Sequence, residues 1–105
     1  MKALQMQSCV HENATVECAL VEITIPDPKP DEVVVAVEAA PINPSDLGLM
    51  FGAADLSSVR EVERNGQPAL LLDVPAAAMR AMAPRVCHWM AVGHEGSGRV
   101  IAAGD

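Results

Sequence analysis

The chain has 105 residues, half of them apolar, and a formal net charge of −7. This length allows one small domain. Its seven basic residues are scattered among fourteen acidic ones, which excludes the Lys/Arg stripe that nucleic-acid binding requires. No apolar run approaches the roughly 20 residues that span a bilayer, and no secretory signal is visible at the N-terminus. We therefore expect neither a nucleic-acid nor a membrane partner.

Three cysteines are present, and they share no zinc-finger or CxxC spacing. An odd number of cysteines without such spacing is typical of reduced thiols in a cytosolic protein. The sequence therefore predicts a cytoplasmic location.

The first forty residues have the pattern of β-structure. Residues 2–7 predict a short strand, and the β-branched residues 20–25 predict a second one. The proline-rich segment 26–31 cannot supply ladder donors at its prolines and predicts a turn or loop. Residues 32–39 give the strongest strand prediction, since their consecutive valines indicate burial on both faces or a place in a barrel wall.

A short helix is predicted to begin at Asn43. Asn43 can cap the helix, and Pro44 suits its first position, where a missing N–H costs nothing. Asp46 places a negative charge in the first turn, where the helix dipole favours it. Gly52 is a suitable C-terminal stop.

In the second half of the chain, the sequence predicts short strands, turns and a helix. An Asn-Gly turn at residues 65–66 interrupts a polar stretch, and residues 69–74 predict a short strand. Residues 75–83 predict a helix that ends before Pro84, and residues 98–103 predict the last strand. The pattern as a whole predicts a mainly β chain with short helices, of α+β class, as a partly open barrel, although spacing alone leaves other α+β arrangements open.

Two segments resemble a known family. Residues 39–46, Ala-Ala-Pro-Ile-Asn-Pro-Ser-Asp, and residues 92–100, Val-Gly-His-Glu-Gly-Ser-Gly-Arg-Val, are together similar to the N-terminal, substrate-side domain of the medium-chain dehydrogenase/reductase superfamily. The first segment looks like the zinc-independent quinone (enone) reductase branch. The resemblance implies that residues 1–105 are the N-terminal part of a GroES-like domain whose barrel is incomplete here. It also implies that the Rossmann domain, which holds the cofactor, is absent from this chain.

Asn43 stands where zinc-dependent alcohol dehydrogenases carry a zinc-ligating cysteine. The resemblance implies that Asn43 and Asp46 lie on the cofactor side of the site, with Asn43 beside the nicotinamide of NADPH. An amide binds zinc poorly beside thiolate and imidazole, but it can donate to and accept from a coenzyme or a substrate carbonyl. Read from the residues alone, Asn43 is a helix cap and Asp46 a first-turn carboxylate, and both interpretations stay open.

His94 belongs to a Gly-His-Glu-Gly-Ser-Gly segment that is typical of the zinc-dependent branch, where this histidine is a metal ligand. Because the cysteine is absent, we expect no metal site here. His94 is instead expected to line a polar cleft, where it could transfer a proton at neutral pH, or to be hydrogen-bonded at a strand start. Cys87 and His88 are adjacent, so at most one of them can face His94.

The resemblance implies hydride transfer from NADPH to a quinone or an α,β-unsaturated carbonyl by the intact protein, a homodimer, with the isolated chain inactive. Two alternatives stay open. One is a zinc-dependent alcohol dehydrogenase-like enzyme that uses His94, and the other is a non-catalytic GroES-like binding or assembly module. The methionines and Trp89 are expected to pack in the core or between domains, although Trp89 and Phe51 could line a cleft for a flat substrate.

Overall fold

The computed structural model describes residues 1–105 and contains seven strands and two short α-helices. In chain order these are β1 (Lys2–His11), β2 (Thr15–Thr24), β3 (Val33–Ala39), α1 (Pro44–Phe51), β4 (Arg60–Arg64), β5 (Gln67–Asp73), α2 (Ala76–Met82), β6 (Met90–Ala91) and β7 (Ser97–Ala103). The mainly β, α+β class predicted from the sequence is confirmed. Neither helix is long or apolar enough to cross a membrane.

Five of the strands form one antiparallel sheet, in the order β4-β5-β2-β1-β6. Its centre is the β1–β2 hairpin, in which Lys2 pairs with Thr24 and His11 with Thr15. Both strands are several residues longer than the sequence predicted. The hairpin ends are rich in polar and small residues, and they are held as strands by pairing with β5 rather than by local propensity.

The β4–β5 hairpin turns at Asn65-Gly66, as predicted. Both residues have positive φ, 51° and 79°, which is the conformation that a tight two-residue hairpin turn requires. Strand β4 was not predicted, because its charged residues lie at an exposed sheet edge and give no apolar pattern. The two-residue strand β6 was also not predicted, and only its pairing with β1 defines it.

A small core lies between one face of this sheet and the two helices. It consists of Val10, Val16, Leu72, Val74 and Met82. Five partly buried side chains pack against it: Phe51, Ala54, Ala78, Met79 and Val86. Only 13 of the 105 residues are buried, so each core side chain carries a large share of the apolar stabilisation. Of the predicted packing residues, Met82 is in the core, Met79 packs against it, and Met90 and Trp89 are partly exposed. Phe51, named above as a possible cleft residue, also packs against the core.

Strands β3 and β7 form a separate two-stranded ribbon. Val33 and Val37 are 54% and 64% exposed, so the prediction that the valine strand is buried on both faces is wrong. Strand β3 pairs only with β7, and no second layer covers it. The ribbon lengthens the molecule to 51 Å. Its radius of gyration of 15.8 Å exceeds the roughly 13 Å of a compact chain of this length.

The two strands of the ribbon approach closely at Gly98. A Cβ atom on this residue would collide with the backbone carbonyl of Ala36 on the opposite strand. Glycine is therefore required here for close backbone contact. The sheets do not close on each other, and the predicted partly open barrel is not formed by these residues alone.

Replacing Leu72 by Ala tests the core. Leu72 is 1% exposed, and the cavity left by the truncated side chain should lower the free energy of unfolding by about 2–5 kcal/mol. Leu56→Ala is the matched control, because Leu56 is 62% exposed and should change stability by no more than about 0.5 kcal/mol. Urea unfolding measures both variants, and equal losses would contradict this placement of the core.

Candidate functional site

The first element of the site is the N-terminus of helix α1. Asn43 is the N-cap residue, with extended backbone (φ −94°, ψ 158°), and Pro44 follows at the first helical position. The backbone N–H of Asn43 donates to Oδ2 of Asp46 at 2.8 Å. Asn43 therefore occupies the predicted N-cap position, and the hydrogen bond there is made by the Asp46 carboxylate rather than by the Asn43 side chain.

The second element is His94, which lies 48 residues further along the chain. Its Nδ1 is 2.7 Å from Oδ1 of Asp46. Asp46 is buried, whereas the His94 side chain is 55% exposed. One buried carboxylate therefore joins the helix start to the segment that enters β7.

The contacts of Asp46 define its charge state and the tautomer of His94. The backbone N–H of Asn43, and then the His94 ring, hold the pKa of the Asp46 carboxyl below its ordinary value. An ionised carboxylate can only accept a hydrogen bond, so Nδ1 of His94 carries a proton. In the neutral ring the lone pair is then on Nε2, which has no partner in the chain and can exchange a proton with a ligand.

A shallow cleft of about 410 Å³ lies beside this cluster, between the end of β3 and the start of β7. It is lined by Ala39, Ala40, Pro41, Glu95, Gly96 and Ser97. Pro41, which lines the cleft, is two residues before Asn43 in the sequence, and Glu95 directly follows His94. The three predicted site residues are joined by the Asp46 carboxylate, and none of them lines the cleft itself.

The Asn43 and His94 side chains have the hydrogen-bonding groups that suit one end of a dinucleotide. An amide and an imidazole suit a carboxamide or a carbonyl oxygen, whereas none of the lining residues is basic, so the phosphates would find no partner here. The chain also has no group of three His, Cys, Asp or Glu side chains placed to hold a metal ion. Cys87 contacts Glu12, at 3.8 Å, rather than His94.

A second polar cluster, which the sequence analysis missed, lies on the five-stranded sheet. The carboxylate of Glu17 is 4% exposed and receives both Nε and Nη2 of Arg64, the latter at 2.7 Å. Nε2 of His11 lies 2.8 Å from Glu17 Oε1. The Arg64 guanidinium stacks 4.8 Å from the Trp89 ring centre, which combines an ion pair with a cation–π contact.

The Arg64 hydrogen bond is the main reason why the pKa of Glu17 lies below its ordinary range. Burial opposes the shift, and His11 adds to it. The same contact raises the pKa of Arg64. No local pattern in the sequence indicated this cluster, because Glu17 and Arg64 are 47 residues apart.

Comparisons with known protein families and with curated proteins found no match to this chain.

Replacing His94 by Ala should raise the pKa of Asp46 without restoring its ordinary value near 3.8. The variant loses one hydrogen bond to the carboxylate but keeps the Asn43 N–H, which has the larger effect. A carboxyl-carbon NMR titration measures this, and Asp55 is the internal control because its pKa is lowered by Ser57 alone. An unchanged Asp46, or one returned fully to 3.8, would contradict the proposed geometry.

Replacing Glu17 by Gln should lower the free energy of unfolding at neutral pH by about 1–3 kcal/mol, because charge-assisted hydrogen bonds are lost. A carboxyl with a depressed folded pKa contributes its stability above its unfolded pKa and loses it as pH falls through the folded value. The difference from the wild type should therefore be constant above pH 4.5 and shrink below it.

Urea unfolding over a series of pH values gives this difference. Glu63→Gln is the control, since Glu63 is exposed on β4 and its side chain makes no hydrogen bond. A difference that grows as pH falls would be incompatible with the Glu17–Arg64 pair.

Proposed function

We propose that this chain is the substrate-side part of an NADPH-dependent oxidoreductase that reduces a quinone or an α,β-unsaturated carbonyl by hydride transfer. The observation that supports this is the Asp46 carboxylate, which joins the Asn43 backbone to the His94 ring. Asn43 and Asp46 lie at the start of α1, and His94 precedes β7. A hydrogen-bonding amide and a histidine with a free ring nitrogen are the groups that such a reaction needs beside the coenzyme.

Each residue has a separate role in this proposal. Asn43 positions the nicotinamide carboxamide or the substrate oxygen. Asp46 is a positioning residue that holds His94 through Nδ1, at 2.7 Å, and holds the helix start through the Asn43 N–H, at 2.8 Å. His94 donates the proton that the reduced acceptor requires, from Nε2 of its charged form. NADPH supplies the hydride when it is bound.

The proposed architecture extends beyond these residues. In the intact enzyme the β3–β7 ribbon forms part of a GroES-like, partly open barrel, and a Rossmann domain carries most of the NADPH. The apolar side chains exposed on the ribbon, among them Val35, Val100 and Ile101, fit burial against further structure or against a second subunit of a homodimer. The three free thiols support a cytoplasmic location.

The test is an assay of the protein at its full natural length, following NADPH oxidation with quinone and enone acceptors. His94→Gln should lower kcat by about 10²–10⁴-fold, because it removes the general acid. Asn43→Ala should raise the KM for NADPH or for the acceptor. His88→Ala is the matched control, since His88 is exposed and outside the cluster.

Full activity in both site variants would contradict the proposal. Stoichiometric zinc that is lost on His94→Ala would favour the zinc-dependent alcohol dehydrogenase-like alternative instead.

The exposed apolar ribbon favours one second candidate, a non-catalytic GroES-like binding or assembly module. Such a module would bury the ribbon between subunits and would need no coenzyme. A full-length protein that assembles into oligomers, binds no NADPH and reduces neither acceptor would support this candidate over the enzyme.

A further inference from the structure

Two cysteines that are 78 residues apart in the sequence meet at a single backbone oxygen. The backbone N–H of Cys87 donates to the carbonyl of Val10 at 2.8 Å. The Sγ atom of Cys9 lies 3.6 Å from the same oxygen. Val10 and Val86 form a parallel bridge, which keeps the Cys87 segment alongside β1. The Cys9 thiol and the Cys87 backbone therefore meet at one oxygen atom, and the Cys87 Sγ lies 3.8 Å from Oε1 of Glu12.

His11 and the carboxylate of Glu17 lie next to Cys9. Nδ1 of His11 lies 4.0 Å from the Cys9 Sγ, and Nε2 lies 2.8 Å from Glu17 Oε1. The ionised Glu17 can only accept, so Nε2 carries the proton and the lone pair of the neutral ring is on Nδ1, beside the thiol. The Cys9 thiol, the His11 imidazole and the Glu17 carboxylate are thus arranged as a nucleophile, its base and the group that orients the base.

The two thiols differ in their access to solvent. Cys9 is 2% exposed, and burial, followed by the nearby Cys87 and Glu17, raises its pKa. Cys9 therefore rests as a thiol and needs a base to react. Cys87 is exposed and lines an open cavity of about 570 Å³ together with His11, Glu12 and Glu17. A small solute can reach Cys87, whereas burial shields Cys9 from direct attack.

Cys87 also has a φ of +64°, which is uncommon for a residue with a side chain. The backbone is held in this conformation by the hydrogen bond to Val10. A residue kept in a sparsely populated conformation by its surroundings is a frequent feature of functional sites.

We propose that Cys9 and Cys87 form a peroxide-reducing dithiol site, with Cys87 as the thiol that attacks the peroxide, Cys9 as the resolving thiol and His11 as its base. The site shares no residue with the Asn43–Asp46–His94 cluster. It therefore stands whether or not the proposed oxidoreductase activity is correct.

The reaction has two steps. The Cys87 sulfur attacks one oxygen of the peroxide, so that an S–O bond forms and the O–O bond breaks, and the thiol proton passes to the leaving oxygen, which departs as water or an alcohol. Cys87 is oxidised by two electrons to a sulfenic acid, and the peroxide is reduced. His11 then takes the proton of Cys9, and the resulting thiolate attacks Cys87. An S–S bond forms, the S–O bond breaks, and the leaving hydroxide takes the proton from His11 as water. A small thiol reductant would restore both cysteines.

The experiment treats the protein with an equimolar amount of hydrogen peroxide, blocks free thiols by alkylation and measures intact mass without reductant. The expected product is a monomer that carries an alkyl group on Cys18 only and has lost the two hydrogen atoms of the other two thiols, and dithiothreitol restores those thiols. Digestion with a glutamate-specific protease separates Cys9 from Cys18 at Glu12 and Glu17. The disulfide should join the Cys9 and Cys87 peptides, with Cys18 alkylated.

Variants separate the roles. Cys18→Ala is the matched control, since Cys18 is buried against Met6 at 3.3 Å, and it should form the disulfide at the wild-type rate. Cys87→Ser, an exposed and conservative change, should abolish it. His11→Gln should slow disulfide formation by about tenfold or more, while a sulfenic acid that dimedone traps accumulates at Cys87.

Two results would overturn the dithiol proposal, and a third would overturn the role of His11 in it. One is a wild-type protein in which peroxide oxidises Cys87 while Cys9 stays fully alkylatable. Another is a product that consists only of Cys87 disulfides between two molecules. A wild-type rate in a folded His11→Gln variant, with its circular dichroism unchanged, would remove the base role of His11.

Discussion

The buried carboxylate of Asp46 is the contact on which the arrangement of the candidate site depends. It accepts the Asn43 backbone N–H at 2.8 Å and the His94 ring N–H at 2.7 Å. Strands β3 and β7 pair only with each other, so the ribbon has no sheet neighbour to orient it. The Asp46–His94 contact fixes the entry of the ribbon relative to helix α1. It thereby sets the positions of the amide and the imidazole on which the proposed chemistry rests.

Stability is divided between a small apolar core and a polar network on the other face of the sheet. The core contains five buried side chains and no buried aromatic ring. On the opposite face, Glu17 is paired with Arg64 and His11 rather than covered by apolar residues. A buried carboxylate of this kind is tolerated only while its partners remain. The same network orients His11 toward Cys9, so the stability of the fold and the proposed thiol chemistry share one group of residues.

Local sequence signals predicted those parts of the structure that local forces decide. The start of α1 follows from Asn43-Pro44, the β4–β5 turn from Asn65-Gly66, and the end of α2 from Pro84. The strands that the sequence did not predict depend on pairing between segments that are distant in the chain. Strand β4 has a charged pattern, and the ends of β1 and β2 are polar, so only their neighbours make them strands. The valines of β3 predicted burial because apolar runs are usually covered, and here the covering layer is missing. Asn43, Asp46 and His94 were singled out through a family resemblance, whereas nothing local linked Glu17 to Arg64, which is 47 residues away.

The most direct measurement is a crystal structure of the protein at its full natural length with NADP⁺ bound. Our account predicts that the nicotinamide carboxamide lies within hydrogen-bond distance of the Asn43 side chain, with His94 still bonded to Asp46 and its Nε2 facing the acceptor position. A coenzyme bound far from residue 43, or a His94 ring released from Asp46 and turned away from the cleft, would contradict it.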